Sequence, residues 1–335
     1  MLLSIIIVNY NSGALLLDCL QSAELDLFDL DKVEWIIVDN SNNTGDKKLI
    51  TTAFPMVQWV DMGYNAGFAR ANNQGIELSK GQLVLLLNPD TLLKPGVLMA
   101  IAKELLGSNL VAAGVQLVHL DGQPQFSGSN FMLGGLNHLL PLPYWGIFIK
   151  SIVSYFIKEK PALIQASAIS EVDWISGAFL MVKKEVIQKA GMLDADFFLY
   201  AEEVEWCARL GKFGKMAIFG NYSIVHLIGQ SIQVASNAED NSYTNLTDKK
   251  GLQLIVSNHL RIRKQYGVFW FLFQLLNYTW TVPLYLIAGL FETVWKRKSI
   301  PTMLQFWWGF TKNVIELWLI APIVIAKKPH FYKYI

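Results

Sequence analysis

Short, almost wholly apolar runs alternate with helix-period segments over the first ninety residues of the chain. Ser4–Val8 (SIIIV), Trp35–Val38 (WIIV), Val57–Val60 (VQWV) and Leu83–Leu87 (LVLLL) read as strands. The stretches around Ala14–Glu24, Asp46–Ala53 and Phe68–Lys80 read as helices. Near-continuous apolar strands recurring at intervals of roughly 20–30 residues, with helices between, mean βαβ units and a parallel sheet covered on both faces. Crossovers in such sheets are right-handed, and ligands sit beyond the carboxyl ends of the strands.

The pattern changes toward the other end. From Val268 to Phe291 there are 24 consecutive uncharged residues, and a second apolar run covers Val314–Ala326. Eight Trp, Tyr or Phe residues lie between Tyr266 and Tyr285. Arg261, Arg263 and Lys264 precede the first run, Lys296, Arg297 and Lys298 follow it, and Lys327 and Lys328 follow the second. The whole-chain charge of +1 therefore hides a contrast: residues 1–256 carry a net −7 and residues 257–335 a net +8. Basic clusters beside aromatic-rich apolar segments are what an anionic bilayer surface attracts. The expected organisation is a domain over 1–256 and a helical, membrane-associated tail over 257–335. The first run is long enough to span a bilayer, but Gln274, Asn277, Thr279, Thr281 and Pro283 interrupt it, and basic residues at both ends favour no orientation. A buried helical pair, an interfacial pair and a spanning pair all fit. Between the halves, Phe131–Ile164 is apolar, rich in Gly and Pro and fits no sheet strand; a flap and a second membrane contact both fit it.

At 335 residues and 53% hydrophobic, the chain buries a full core and is neither disordered nor collagen-like. Two cysteines, Cys19 and Cys207, are too few for a disulfide framework and point to a reducing compartment. The opening MLLSIIIVNYNSG lacks the basic n-region of a signal peptide. No nucleic-acid partner is expected.

Polar residues collect where the strands end. The first runs into Asn9-Tyr10-Asn11, the second into Asp39-Asn40-Ser41, the third into Gly63-Tyr64-Asn65-Ala66-Gly67 and the fourth into Asn88-Pro89-Asp90. Any one is an ordinary turn; four on one sheet edge make a ligand cleft. Neither a dinucleotide-binding G-x-G-x-x-G after the first strand nor a P-loop is present. A carboxylate such as Asp39 accepts hydrogen bonds from a base or ribose. Asp90 is placed to hold a hard divalent cation, which takes carboxylate oxygen and leaves room for substrate phosphate.

VNYN, VDNSNNTG, GYNAGFARANNQG, LLLNPDT, SGAFLMVKKEV, FLYAEEVEWCARL and VHLIGQS, in that order, resemble the family-two glycosyltransferases of GT-A fold, and the NPD form is especially similar to their rhamnosyltransferase-like branch. The resemblance covers roughly residues 2–235. It implies an α/β GT-A fold with a Rossmann-like, mixed but mostly parallel sheet. It further implies a nucleotide-sugar donor, Mg²⁺ or Mn²⁺, and direct displacement with inversion. The donor-binding residues it implies are Asn9, Tyr10, Asn11, Asp39, Asn65, Gly67, Phe68, Asn72, Asn88 and Asp90, with Asp39 on the nucleobase. Asn88 replaces the first acid of the family's D-x-D, so Asp90 is the motif's single acidic metal ligand. His226 falls at the family's downstream His; imidazole suits Mn²⁺ better than Mg²⁺.

Inverting transfer needs a base for the acceptor hydroxyl. The family's second acid in the Glu202-Glu203 dipeptide is that base, which maps onto Glu203, with Glu202 as the alternative. Glu205 and Arg209, four apart, form a natural intrahelical pair. Gly177 and Ala178 let acceptor or donor approach the backbone, and Trp174 is suited to stack on a sugar face. The expected activity is transfer of a sugar, rhamnose from dTDP-rhamnose, to a lipid-linked or growing glycan acceptor at the cytoplasmic face of a bacterial plasma membrane. Transfer from a UDP- or GDP-sugar, including polyprenyl-phosphate glycosylation, and an inactive membrane-anchored scaffold are the alternatives.

Overall fold

The computed structural model describes residues 1–23, 32–156, 164–166, 168–227 and 245–335. The predicted helix end at Glu24, residues 157–163 of the connecting segment and the end of the VHLIGQS motif lie outside the described residues. The chain forms two compact units, one drawn from Met1–Asn130, Ala162–Ala195 and Glu202–Asn241, the other from Phe131–Pro161, Asp196–Ala201 and Ser242–Ile335.

The first unit is built on the predicted βαβ pattern. In order come β1 (Leu3–Asn9), α1 (Gly13–Ser22), β2 (Val33–Asp39), α2 (Thr44–Ala53), β3 (Gln58–Asp61), α3 (Gly67–Leu78) and β4 (Leu83–Leu87). There follow β5 (Thr91–Leu92), α4 (Val97–Leu106), β6 (Ala112–Val118) and β7 (Gly128–Ser129). After the excursion into the second unit, described below with its helix α5, the chain returns as β8 (Ser170–Val172), β9 (Trp174–Ile175), β10 (Phe179–Lys183), α6 (Lys184–Ala190), α7 (Glu202–Leu210) and β11 (Met216–His226). The main sheet runs β3-β2-β1-β4-β10-β6-β11-β5, with β8 paired to β11. β3, β2, β1 and β4 are mutually parallel, as are β6 and β11; β10 enters antiparallel between β4 and β6. The Ile and Val runs are apolar throughout because both faces are covered. Ile5 and Ile7 meet Leu16, Leu20 and Ile50 in the core, and Ile6 on the opposite face is equally buried.

The second unit is helical. It contains a short 3₁₀ segment (Leu133–Leu139), α5 (Trp145–Phe156), α8 (Lys249–Tyr266), α9 (Val268–Trp295) and α10 (Ile300–Ile325). Asp248 caps α8 by accepting the Gly251 amide at 2.7 Å. Gly267, at φ 94°, separates α8 from α9 in a conformation that favours glycine. α8 runs unbroken through residues 256 and 257, where the charge contrast divides the sequence. α10 begins well before the second apolar run, because Ser299 caps it and Pro301 sits in its first turn. Among the described residues the connecting segment holds no sheet strand, as expected, and it packs on α9. Gln274 Nε2 donates to the carbonyls of Gly134 and Gly135 at 3.0 Å each, and Trp145 Nε1 donates to Asn277 Oδ1 at 2.7 Å.

Candidate active site

The sheet's parallel strands end where the predicted polar residues stand. Asn9 closes β1 and Asp39 closes β2, in register. Both are buried. Asn9 Nδ2 donates to Asp39 Oδ1 at 2.8 Å and to Asp46 Oδ2 at 3.1 Å. Ser41 adds its hydroxyl at 2.6 Å and its amide at 3.2 Å, again to Asp39 Oδ1. All three contacts end on Oδ1, and Oδ2 takes none of them. Asp46 is locked in the same knot: it accepts the Gly13 amide at 3.1 Å, and a Cβ on Gly13 would stand 2.4 Å from its Oδ1. Glycine is required there for close approach, not for an unusual φ.

Asn40 ties this edge to the next loop. Its Nδ2 donates to the Gly67 carbonyl at 3.0 Å and its Oδ1 accepts the Ala66 amide at 3.3 Å. Asn65 Oδ1 accepts the Gly67 amide at 3.1 Å, and Gly67 itself has φ 75°. Asn65 and Gly67 thus shape the turn that starts α3. Asn72 is buried, with its amide spent on the Phe68 carbonyl of its own helix at 2.9 Å. Tyr10 is half-buried, and Asn11 is exposed with a left-handed φ of 51° that Asn tolerates.

The Asn88-Pro89-Asp90 turn meets His226 because β5 pairs with the end of β11, His226 opposite Thr91. His226 Nε2 lies 3.5 Å from Asp90 Oδ1, and the Asp90 side chain is 1% exposed. The other side of the imidazole determines its chemistry. Gln125 Nε2 donates to the His226 carbonyl at 2.6 Å, which can only accept, and this orients the amide. Gln125 Oε1 then faces His226 Nδ1 at 3.2 Å, so Nδ1 carries the hydrogen and Nε2 presents its lone pair toward Asp90 when the ring is neutral. The same Nε2 of Gln125 reaches His119 Nδ1 at 3.0 Å. A lone pair facing a carboxylate oxygen is repulsive unless a proton or a cation lies between. Two convergent donors of this kind fit a divalent metal that completes its shell with phosphate and water. Among the described residues there is no group of three or more His, Cys, Asp or Glu that could hold a metal by itself.

α7 begins at Glu202, after Tyr200 and Ala201, which hold φ of 74° and 65°. Left-handed non-glycine residues of this kind cost energy and cluster at functional sites. Glu205 pairs with Arg209 as expected, through contacts of 2.8–3.0 Å. Glu202 is buried at 3% exposure, whereas Glu203 is half-buried. A Cβ on Gly177 would lie 3.2 Å from Phe68 Cζ and 3.8 Å from Glu203 Cβ, so these three converge. The next residue, Ala178, accepts the Asn88 amide at 3.1 Å through its carbonyl. Gly177-Ala178 thereby joins the Glu203 corner to the Asp90 turn. Trp174 is half-buried beside Phe126, with ring centroids 5.4 Å apart. Burial pushes the Cys19 and Cys207 thiols up to about 12, which leaves them poor nucleophiles.

Asp46, His119, Gln125 and Phe126 escaped the sequence reading. Asp46 stands in the first turn of α2, where an acid is ordinary, and Gln125 meets His226 across 101 positions of chain with no local pattern to mark it.

The sequence model of Glycosyl transferase family 2 matches residues 4–160. The low-salt glycan biosynthesis hexosyltransferase Agl10 of Haloferax volcanii is 27% identical over 217 residues, covering 62% of this chain and 61% of the relative. The chain thus aligns with less than two thirds of that relative's length. The N-acetylglucosaminyl-diphospho-decaprenol L-rhamnosyltransferase of Mycobacterium tuberculosis is 25% identical over 232 residues, covering 65% of this chain and 73% of the relative. S. aureus TarS 1–349, solved in complex with UDP-GlcNAc, shares the fold at TM-score 0.50 and 12% identity, over 79% of this chain and 68% of that one. The fold is of the GT-A type, and the part of the chain that builds it is similar in sequence to glycosyl transferase family 2 over residues 4–160.

Proposed function

We propose that the protein is an inverting glycosyltransferase. It moves a sugar, rhamnose from dTDP-rhamnose, to a lipid-linked or growing glycan at the cytoplasmic face of a membrane. The observation that carries the reading is the Asp90–His226 pair at 3.5 Å, joined through Ala178 and Gly177 to the Glu203 corner. Rhamnose and the lipid-linked acceptor rest on the resemblance and on the name of the mycobacterial relative. The membrane rests on α9 and α10, both long and apolar enough to cross one by length and composition.

Asp39 Oδ2, not taken by the bonds on Oδ1, accepts from the base or ribose of the donor. Asp90 and His226, whose Oδ1 and Nε2 lie 3.5 Å apart, would hold Mn²⁺ or Mg²⁺. When bound, that ion neutralises charge on the leaving diphosphate. Gly177 and Ala178 admit the acceptor close to the backbone, and Trp174 with Phe126 offers a sugar platform. A Glu203 carboxylate oxygen takes the proton from the acceptor hydroxyl. The acceptor oxygen bonds to the anomeric carbon from the face opposite the leaving group. The carbon–oxygen bond to the diphosphate breaks, and its electron pair leaves with the nucleotide.

Incubation of the full chain with Mn²⁺, a polyprenyl-diphosphate glycan and dTDP-rhamnose yields rhamnosylated lipid with inverted anomeric configuration by NMR. Transfer from a UDP- or GDP-sugar alone moves the donor assignment. A retained configuration contradicts the mechanism, and nucleotide binding without transfer from any donor assigns a scaffold role.

A further inference from the structure

The helical unit carries an apolar surface whose geometry says how it meets lipid. On α9, Phe269, Leu276, Trp280, Ile287, Phe291 and Trp295 are between 58% and 78% exposed. At 3.6 residues per turn they fall within about 100° of one another around the axis. The opposite face is buried, and there the polar residues that break up the run find partners. Gln274 Nε2 binds the Gly134 and Gly135 carbonyls, Thr281 Oγ1 donates to the Asn277 carbonyl at 2.8 Å, and Tyr278 donates to the His138 carbonyl at 3.3 Å. α10 runs antiparallel beside α9, with Trp318 Nε1 on Thr279 Oγ1 at 2.8 Å and Trp307 Nε1 on the Val282 carbonyl at 2.9 Å. It exposes Trp308, Ile315 and Leu319.

Three observations oppose a spanning hairpin. First, the segment from Leu133 into α5 accompanies α9, touching it at Gln274, Asn277 and Glu292, the last through Tyr144 at 2.7 Å. Gln274 and Glu292 are about 27 Å apart along a helix. A spanning α9 would draw this segment to hydrocarbon depth, with its left-handed Gly134, Gly135 and Tyr144 and its exposed Asn137 and Lys150. Gly134 and Gly135 are themselves buried, but the exposed Asn137 amide and Lys150 ammonium are costly at that depth. Second, the loop between the helices is the exposed Lys296-Arg297-Lys298, which spanning would push across the bilayer. Third, the predicted basic flank on the other side is engaged within the helical unit. Arg261 is 2% exposed and contacts His138, Arg263 donates to the Ile325 carbonyl at 2.7 Å, and Lys264 pairs with Asp196 at 2.7 Å. Exposed cations stand at both ends of α10, at Lys296–Lys298 and Lys327–Lys328, and Lys312 is exposed between them.

We infer that α9 and α10 lie in the plane of an anionic phospholipid surface, the Phe269–Trp295 stripe sunk to the headgroup–acyl boundary, and do not cross the bilayer. The inference rests on the membrane reading proposed above and fixes its mode. Charge complementarity selects the occupant: aromatic and aliphatic side chains in one stripe, with cations at both ends of the hairpin, match a negatively charged interface.

The test uses the full chain with sealed vesicles of phosphatidylglycerol and phosphatidylcholine, against phosphatidylcholine alone. Flotation is expected with the anionic vesicles. Trp280→Glu combined with Phe291→Glu is expected to weaken binding ~tenfold or more, and Arg297→Gln or Lys327→Gln about fivefold each. Circular dichroism and dTDP binding stay at wild-type values in all of these variants. Arg297→Cys reacts with an impermeant maleimide from the side that labels Lys48→Cys in the sheet unit. Labelling of Arg297→Cys only after the vesicles are opened overturns the in-plane seat in favour of spanning. Equal flotation on both vesicle types, or binding unchanged by Trp280→Glu with Phe291→Glu, overturns it as well. A dimer in vesicle-free buffer that these two substitutions dissolve, without any flotation, assigns the face to a second copy. Each such failure with dTDP binding intact leaves the catalytic reading standing.

Discussion

Asp39 and Asp90 at the sheet edge and Gln274 and Thr281 in α9 are equally buried, at 0–1% exposure, yet they are buried for different ends. At the edge, neighbours grip one side of the polar group, and the proposed chemistry uses the other. Asp39 is held through Oδ1, and His226 is held through Nδ1 so that Nε2 faces Asp90. In the helical unit the donors are spent inside the unit itself, Gln274 on two carbonyls and Thr281 on a third, while large apolar side chains face outward. Burial alone therefore does not mark a site. The direction left open by a residue's partners does.

Four perturbations sharpen that contrast. The largest is Glu203→Gln, expected to lower kcat by roughly 10²–10⁴-fold with donor Kd unchanged. Steady-state kinetics with calorimetry checks it, and an equal loss at Glu202→Gln alone would move the base there. Next, Gln125→Met removes the partner that holds Nδ1, and Mn²⁺ affinity measured by EPR should fall about 10–100-fold. A bystander glutamine would leave it unchanged.

The third lies in the helical unit. His259 donates its Nδ1 hydrogen to the Ile255 carbonyl at 2.8 Å, and burial pushes its pKa down to about 4. The unfolded chain binds that proton below the ordinary histidine value, so stability is full above it and falls with pH toward 4. At pH 5 the loss relative to pH 8 is about 2 kcal/mol. Denaturation across this range should show the slope, and His259→Phe should remove that share of it, leaving the part due to His138, which burial likewise holds well below the ordinary histidine value. The smallest effect belongs to Asn43, which caps α2 by accepting the Gly45 amide at 3.0 Å. Asn43→Ala should cost about 1 kcal/mol in a chemical melt, without altering the pH slope set by His259.

The comparison also explains what could be read without coordinates. SIIIV, WIIV and LVLLL were legible as β1, β2 and β4 because strands buried on both faces are apolar at every position. Asn9, Asp39 and Asp90 were legible because they close such runs. The antiparallel β10 between β4 and β6 was not, since strand order depends on pairings far apart in the chain. Gln125 left no local trace for the same reason. The basic triplet Arg261, Arg263 and Lys264 misled: charge in a sequence looks like surface, but Arg261 is buried against a histidine, and the half-buried Arg263 and Lys264 are tied to a carbonyl and to Asp196. The division after residue 256 followed charge, whereas α8 follows helical hydrogen bonding straight through it.

The central claim is that Asp90 and His226 together hold a metal ion against the donor diphosphate. Calorimetric titration of dTDP into the full chain, with and without Mn²⁺, tests it most directly when Asp90→Ala is run in parallel. The account predicts that Mn²⁺ tightens dTDP binding at least ~tenfold in the wild type, and that Asp90→Ala abolishes this gain while keeping the metal-free affinity. Wild-type dTDP binding indifferent to Mn²⁺, or a gain that survives in Asp90→Ala, would contradict it.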